Sequence, residues 1–538
     1  MIKKVLFCSE NSRALSGFGT YYREVLSRIY DNPNLEVAEF ATGATVYDNI
    51  PHVKWKFYPN NVVPTDPRNK DFESNQQNKF GAWRFDKVLL DFKPDIVCSI
   101  KDPWMFQHEC ESHLRPFYHQ VLMPTVDSVP QQELWINMFR QADSIFTYSD
   151  WAIPELEKAC PKIKVINSAY SGVDLDVFKP RNKQEIRQKF GLPADAHIIG
   201  MVSRNQIRKL YPNLFRMFRQ YLDKYGHTEI GKKTYLLCHT TYPDNGWEIA
   251  DLLRDYGISN RVIFSYICKS TKKPFFSFFE GARTYSNASD NITGVFPNAS
   301  DGYDYDTMSQ LYNMLDMYIQ YAVCEGLGMA QCEAAACGVP IASTDYSAMS
   351  DVVNKTNGFA IPPESMFLDF HIRAWRAIPS DEATMEIIFK YLSRNDDYKQ
   401  TKSKQARKCA ETYFNWDTTA KIWSNHLQSI ELVDLQGQWD APIRCQPPNL
   451  FEKDEKISNS HFVYSAIMTI TGEPELFYNK IGNGFTNQLN LGIITKDHVI
   501  GQLTGYQRHK YQLERIRCGL DGFLPEDFIE FAHSFGEQ

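Results

Sequence analysis

Short apolar runs alternate with segments of helical periodicity through most of the chain, and this rhythm limits the fold more than any other property of the sequence. Residues 5–8 read as a buried strand. Phe18, Tyr21, Tyr22, Val25, Leu26, Ile29 and Tyr30 then recur at the spacing of one helix face. Further strands are expected at 95–100, 120–126, 144–148 and 164–167. The rhythm restarts at 197–203 and continues through 235–239, 262–266, 317–321 and 341–343. Strand–helix–strand units of this kind build parallel sheets. Two successive series predict two doubly wound α/β domains, joined near 177–191, where the chain turns polar. Open parallel sheets bind ligands at the carboxyl ends of their strands, so two facing sheets place a shared ligand in the cleft between them.

Two regions fall outside the rhythm. Residues of about 267–306 are polar and rich in Asn, Ser, Asp and aromatics, and read as an insertion between a strand and a helix. From about Gln436 onward, a proline-bearing linker, APIRCQPPN, leads to a tail with its own strand-like and helical runs. The expected division is therefore 1–178, 179–435 with the insertion, and an appended module at 436–538. A chain of 538 residues is too long for one core and calls for two or three domains. The net charge of −7 argues against general polyanion binding while leaving room for a local basic patch.

The 12 cysteines include no C-x-x-C pair, which fits reduced thiols and a cytoplasmic location. The start of the chain, MIKKVLFCSENS, holds an apolar run too short for a signal peptide. No run approaches the ~18 apolar residues of a membrane span.

The densest chemistry lies at 324–340, CEGLGMAQCEAAACGVP. A strand is expected to end just before it. Gly326 and Gly328 let the backbone approach a ligand closely. A helix starting near Gly328 offers free amides and the positive end of its dipole to an anion. A bare phosphate site has no use for a carboxylate beside it, but a sugar does, because carboxylates accept hydrogen bonds from hydroxyls. Glu325 in the turn and Glu333 on the helix suit two hydroxyl-bearing groups flanking a diphosphate, which describes a nucleotide sugar. The spacing alone leaves open a plainer explanation, a strand–turn–helix with two incidental glutamates. Arg204 and Lys209 follow the strand at 197–203 and could neutralise such a diphosphate. By themselves they fit a solvated basic loop better.

The stretch resembles the signature of the retaining GT-B glycosyltransferases of family 4, E-G-F-G-L/M-x-x-x-E-A-M-A-C-G-x-P-V. It shares the E-x7-E spacing, both glycines and the trailing A-C-G-x-P, with Leu327 in place of the usual Phe. The resemblance spans roughly residues 1–430. It implies a GT-B fold, two Rossmann-like domains facing across a cleft. It also implies transfer of a sugar from a nucleoside diphosphate sugar with retention of anomeric configuration, and neither a metal nor a cofactor.

Residue by residue, the resemblance implies that Glu325 contacts the donor sugar and Glu333 the ribose, with Gly326, Leu327 and Gly328 shaping the turn. Arg204 and Lys209 match the family's pyrophosphate pair, R-x4-K-G, with Leu210 where glycine is common. Gly17 and Gly19 in SGFGT match the N-terminal glycine loop facing the donor phosphates. VDSVP resembles a V-D-G-x-P variant that makes Asp127 an active-site carboxylate, orienting the sugar or taking the acceptor's proton. A turn-forming Asp is the alternative. Lys101-Asp102-Pro103-Trp104 ends a strand of the same half and lines the acceptor side. Asn415-Trp416 and the helix beyond return the chain to the first domain.

Asp304-Tyr305-Asp306 is read as helix capping rather than a metal-binding D-x-D. The segment at Cys268, CKST, resembles a zinc ribbon that has lost most of its ligands, so no metal is expected there. The acceptor stays open among glycans, lipid-linked sugars, small molecules and a modified nucleic-acid base. Alternatives on the same fold are a sugar-nucleotide epimerase or phosphorylase, or a non-catalytic sugar-nucleotide-binding protein.

Overall fold

The structure, a computed structural model, describes residues 2–45, 53–112, 114–279, 284–287, 292–298, 301–432, 439, 459–473, 475–478 and 480–517. The first domain is built on β1 (Lys3–Glu10), β2 (Leu35–Thr45), β3 (Lys56–Asn61), β4 (Ile96–Lys101), β5 (His119–Pro124), β6 (Ser144–Thr147) and β7 (Val165–Ser168). They lie in the order β3-β2-β1-β4-β5-β6-β7, and every pairing is parallel. Helices cover both faces, so the central strands are largely apolar, and all of β4 is buried, Ser99 and Lys101 included. The strands β2 and β3 escape sequence reading because Glu36, Glu39 and Asn60 interrupt their apolar runs. Glu39 is nevertheless fully buried, accepting from Ser12 N–H (2.8 Å), Ser12 Oγ–H (2.9 Å) and Trp55 Nε1–H (2.6 Å).

The second domain carries β8 (His197–Val202), β9 (Thr234–His239), β10 (Val262–Cys268), β11 (Pro274–Phe278), β12 (Thr284–Asn287), β13 (Ile292–Val295), β14 (Met317–Gln320), β15 (Ile341–Thr344) and β16 (Phe359–Ile361). Its parallel part runs β10-β9-β8-β14-β15-β16. The polar insertion continues this sheet with antiparallel strands, β11 and β13 on β10 and β12 on β13. A separate hairpin follows, β17 (Pro363–Leu368) with β18 (Trp375–Pro379).

Both sheets reverse their strand order once, between β1 and β4 in the first and between β8 and β14 in the second. Such reversals open a crevice where the connecting helices leave to opposite faces.

The helix Trp416–Ser429 returns to the first domain. Trp416, Thr419, Ala420, Trp423 and Leu427 form its buried face. Trp423 is fully buried, its ring 4.6 Å from Phe146 and 5.6 Å from Phe7, and its Nε1–H donates to Tyr21 OH at 2.9 Å. Truncating a side chain packed this way costs about 3–5 kcal/mol, so this helix locks the end of the second domain onto the first.

The described part of the tail is helical, at Asn459–Thr471, Glu475–Tyr478, Lys480–Asn490 and Lys496–Arg517. The expected strand-like runs do not appear among these residues. Phe462, Val463, Ala466 and Ile467 recur at helical spacing and pack against Leu476, Val499 and Leu503. The linker at 441–449 lies outside the described residues. Among the described residues, no helix is long and apolar enough to cross a membrane, and the described cysteines are all free.

Candidate functional site

The chemistry-bearing residues hang from the carboxyl ends of strands beside the two reversals. After β14 comes the turn with Glu325 and then the helix Met329–Ala336, with Glu333 on it. Gly328 caps that helix at φ +83°, a left-handed conformation that a side chain strains. After β8 comes a short turn, Ile207–Lys209, and then the helix Tyr211–Tyr225. Leu210 between them is also left-handed, at φ 46°, which explains why glycine suits this position.

Glu325 is 6% exposed and sits at the centre of a network. Its carboxylate pairs with buried Lys209 and, at 2.9 Å, with Arg208. Gln320 Nε2 donates to it at 2.7 Å, and Glu325 N–H donates to Ser347 Oγ at 3.0 Å. Burial, and then neighbouring Arg208, push the Lys209 amine well below an ordinary lysine. The charges of Cys324 and Asp127 oppose this shift.

Arg204 points elsewhere, into a bidentate pair with Asp244 at 2.7 and 2.9 Å. The cation that joins Lys209 at Glu325 in this structure is its neighbour Arg208, which the motif does not single out.

Glu333 accepts from Tyr312 OH at 2.6 Å, and burial pushes its carboxyl up to about 7, with the Tyr312 hydrogen bond opposing. Leu327 is buried in the main core, so its side chain serves packing. Gly326 lies against the first domain, where an added β-carbon would stand 2.6 Å from Thr125 Cγ2.

On the facing side, Ser16 caps the first helix, Gly17–Ile29, by accepting from Gly19 N–H at 3.0 Å. A side chain at Gly17 would begin 3.7 Å from Met329 Sδ, so this loop faces the first residue of the Glu333 helix. Gly19 is needed by its own loop, since a β-carbon there would stand 2.5 Å from Ala14 O.

Asp127 follows β5 and faces the second domain. Arg376 Nη1 lies 3.1 Å from its Oδ1, Cys324 Sγ–H donates to Oδ2 at 3.2 Å, and Ser128 Oγ–H donates to Oδ1 at 2.8 Å. Arg376 is 4% exposed and comes from β18, whose Trp375 N–H donates to Val129 O at 2.7 Å. The hairpin thus crosses to the first domain, and nothing in the sequence had marked Arg376. Asp102, at the end of β4, bonds to Thr125. Burial, less this bond, and the Asp127 charge push it up to about 6.

The domains also meet where Asp351 accepts from Tyr170 OH and from Asp150 N–H (2.8 Å), with Lys355 paired to Asp150 at 2.7 Å. Outside the cleft, Asp304 caps the helix Tyr305–Asn313 by accepting from Thr307 N–H at 2.7 Å, and Asp306 pairs with Arg181 at 2.7 Å. The D-x-D is therefore capping, as its context implied.

Residues 301–368, which carry the Glu325 turn and the Glu333 helix, match the family model described as Glycosyl transferases group 1. No curated protein matches the chain in sequence. Among solved structures, the chain is similar to sucrose-phosphate synthase from Thermosynechococcus elongatus, with a TM-score of 0.58 and 17% identity over 79% of this chain and 98% of that one. It is similar to HepE of Anabaena in complex with UDP and glucose, with a TM-score of 0.55 and 14% identity over 80% and 100%. A glycosyltransferase from Rickettsia africae gives a TM-score of 0.54 and 15% identity over 80% and 100%. These likenesses establish the fold, and it is GT-B: two α/β domains, each built on a Rossmann-like sheet, with a tail whose described residues are helical.

Proposed function

We propose that the protein transfers a sugar from a nucleoside diphosphate sugar to an acceptor hydroxyl or amine, with retention at the anomeric carbon. The observation that carries this reading is the convergence of a helix N-terminus, two cations and two carboxylates on the elements that follow β8 and β14, the strands of the second sheet's reversal. Solved structures of the same fold hold UDP with glucose, which supports a uridine diphosphate sugar as donor.

In this reading the diphosphate displaces the Glu325 carboxylate from Lys209 and Arg208. These cations and the amides at Gly328–Met329 carry the negative charge that grows as the sugar–phosphate bond breaks. Glu325, released, accepts hydrogen bonds from sugar hydroxyls, and Glu333 accepts from the ribose. The acceptor's oxygen or nitrogen bonds to the anomeric carbon, the bond to phosphate breaks, and the nucleoside diphosphate leaves. The acceptor's proton goes to the departing phosphate or to Asp102, whose carboxyl at about 6 is matched to proton transfer near neutrality. Asp127, paired with Arg376, orients hydroxyls. The reading calls for no metal and places the reaction in the cytoplasm.

A thermal-shift series with nucleotide sugars tests donor choice, since a ligand bound only to the folded state raises the midpoint. Nuclear magnetic resonance of the product then reads the anomeric configuration. A donor that is epimerised without any acceptor would instead mean a sugar-nucleotide epimerase, and binding without turnover a non-catalytic protein.

A further inference from the structure

Tyr148 follows β6 at the carboxyl edge of the first sheet and is 9% exposed. Its hydroxyl is buried and has no hydrogen-bond partner among the described residues. A buried hydroxyl left in this state lowers the stability of the fold, so its presence marks a place where a ligand supplies the bond.

The strand register sets Tyr148 in a row with two residues of the cleft. Ile100 and Lys101 of β4 pair with Met123 and Pro124 of β5, and Val121 and Leu122 of β5 pair with Ser144 and Ile145 of β6. Carried just past the strand ends, these offsets bring Asp102, Thr125 and Tyr148 level with one another. A β-carbon on Gly326 would stand 2.6 Å from Thr125 Cγ2, so the middle of the row meets the turn that carries Glu325. The Tyr148 ring lies edge-on to Tyr21, with centroids 5.3 Å apart. Tyr21 sits one helical turn from Gly17, which faces Met329 across the cleft.

The chemistry of the row selects its ligand. Burial, with Tyr21 and Asp102 adding to it, pushes the Tyr148 phenol well above its ordinary value. The phenol therefore stays protonated and donates to an oxygen, which an ammonium group does not offer. The Asp102 carboxyl beside it accepts from a hydroxyl. Lys101, the last residue of β4, is turned to Glu109 and to Phe80 O (2.9 Å), so its charge is spent away from the row. Two carboxyls, Asp102 and Asp127, stand against a phosphate here.

We propose that Tyr148 and Asp102 hold two neighbouring hydroxyls of the acceptor, which makes the acceptor an uncharged polyol such as a sugar. The assignment rests on the transferase reading above. Asp102 accepts from the hydroxyl whose oxygen attacks, and Tyr148 donates to the oxygen beside it.

The test uses the full chain loaded with UDP, so that the donor side is filled and measured first. D-glucose, D-fructose and maltose are titrated as probes, with D-glucose 6-phosphate and ethanolamine alongside, and followed by saturation-transfer magnetic resonance. A neutral sugar is expected to bind, and to bind more weakly by about tenfold or more in Tyr148→Phe and in Asp102→Ala. UDP affinity should be unchanged in Tyr148→Phe. The thermal midpoint of sugar-free Tyr148→Phe should hold or rise, because the hydroxyl removed makes no bond there; a hydroxyl that served only the fold would lower it.

Sugar binding that Tyr148→Phe leaves unchanged overturns the proposal, as does a lowered midpoint in that variant. Tighter binding of the phosphate ester or the amine than of any neutral sugar, or no sugar binding to the UDP-loaded chain, overturns it too. Failure of the transferase reading shows instead as absent UDP binding, read before any sugar is added.

Discussion

Arg376 Nη1 stands 3.1 Å from Asp127 Oδ1, joining a buried cation of the second domain to a cleft carboxylate of the first. Removing the cation leaves Asp127 with only Cys324 and Ser128 as partners. Breaking a buried pair from one side is costly because the remaining charge stays desolvated. Asp127 keeps some solvent, so Arg376→Met is expected to lower stability by about 2–3 kcal/mol, read by urea unfolding. Transfer should fall by about 10- to 100-fold, since a shifted first-domain carboxylate misaligns the reacting groups. In a double-mutant cycle with Asp127→Asn the two losses should not add; simple additivity would mean that the pair is incidental.

Opposite effects on donor binding are expected at the two ends of the Glu325–Lys209 pair. In the structure Glu325 occupies the cations that the diphosphate needs. Glu325→Gln removes this competitor while keeping the shape, so UDP affinity is expected to hold or rise severalfold as transfer drops by 100-fold or more. Lys209→Met removes the cation and should weaken UDP by about tenfold, the scale of one charge-assisted contact. Calorimetric titration of UDP checks both, and an equal loss of UDP binding in the two variants would rule out this exchange of partners.

Much of the scaffold could be read in advance because buried parallel strands are continuous apolar runs and their helices repeat at a fixed period. The turn with Glu325 and the helix cap at Gly328 were legible for the same reason: local geometry needs glycines there. What stayed hidden depends on partners distant in sequence. Asp127 and Arg376 are brought together only by the crossing hairpin, and no local pattern announces that hairpin's destination. Arg208 was passed over because a basic turn gives each cation equal standing until the backbone aims one of them. Asp102 could be placed at a strand end beside the acceptor, but its raised carboxyl, which comes from burial and then from the Asp127 charge, could not be read.

Glu333 makes donor affinity depend on pH. Its folded-state carboxyl lies at about 7 against the ordinary 4.5, so the native protein binds more protons than the unfolded chain between these values. Its contribution to stability is therefore greatest below 4.5 and is lost as pH rises through 7. Ribose hydroxyls donate to the ionised form, so binding a nucleotide sugar favours releasing that proton. Affinity for a sugar-capped diphosphate, which has no proton of its own to lose here, should rise by up to about tenfold from pH 6 to pH 8. Glu333→Gln should flatten the rise, and a slope that survives this substitution would assign the titration to another group.

At Gly326 the second domain's backbone lies against the Thr125 methyl of the first domain. A β-carbon there would stand 2.6 Å from Thr125 Cγ2, inside any permitted contact, so Gly326→Ala must push the domains apart or turn Thr125 away. Turning Thr125 also breaks its bond to Asp102, whose carboxyl is held partly by it. The expected result is a loss of transfer of about 10- to 100-fold at saturating donor, with UDP affinity little changed, because Lys209 and Arg208 do not move with the contact. Adding Thr125→Ser removes the offending methyl and keeps the hydroxyl, so the double variant should recover most of the rate. Rescue by alanine as well as by serine would assign the loss to the steric contact, and rescue by serine alone to the hydrogen bond as well. A double variant as slow as Gly326→Ala alone would show that the contact between the domains is not what the glycine protects.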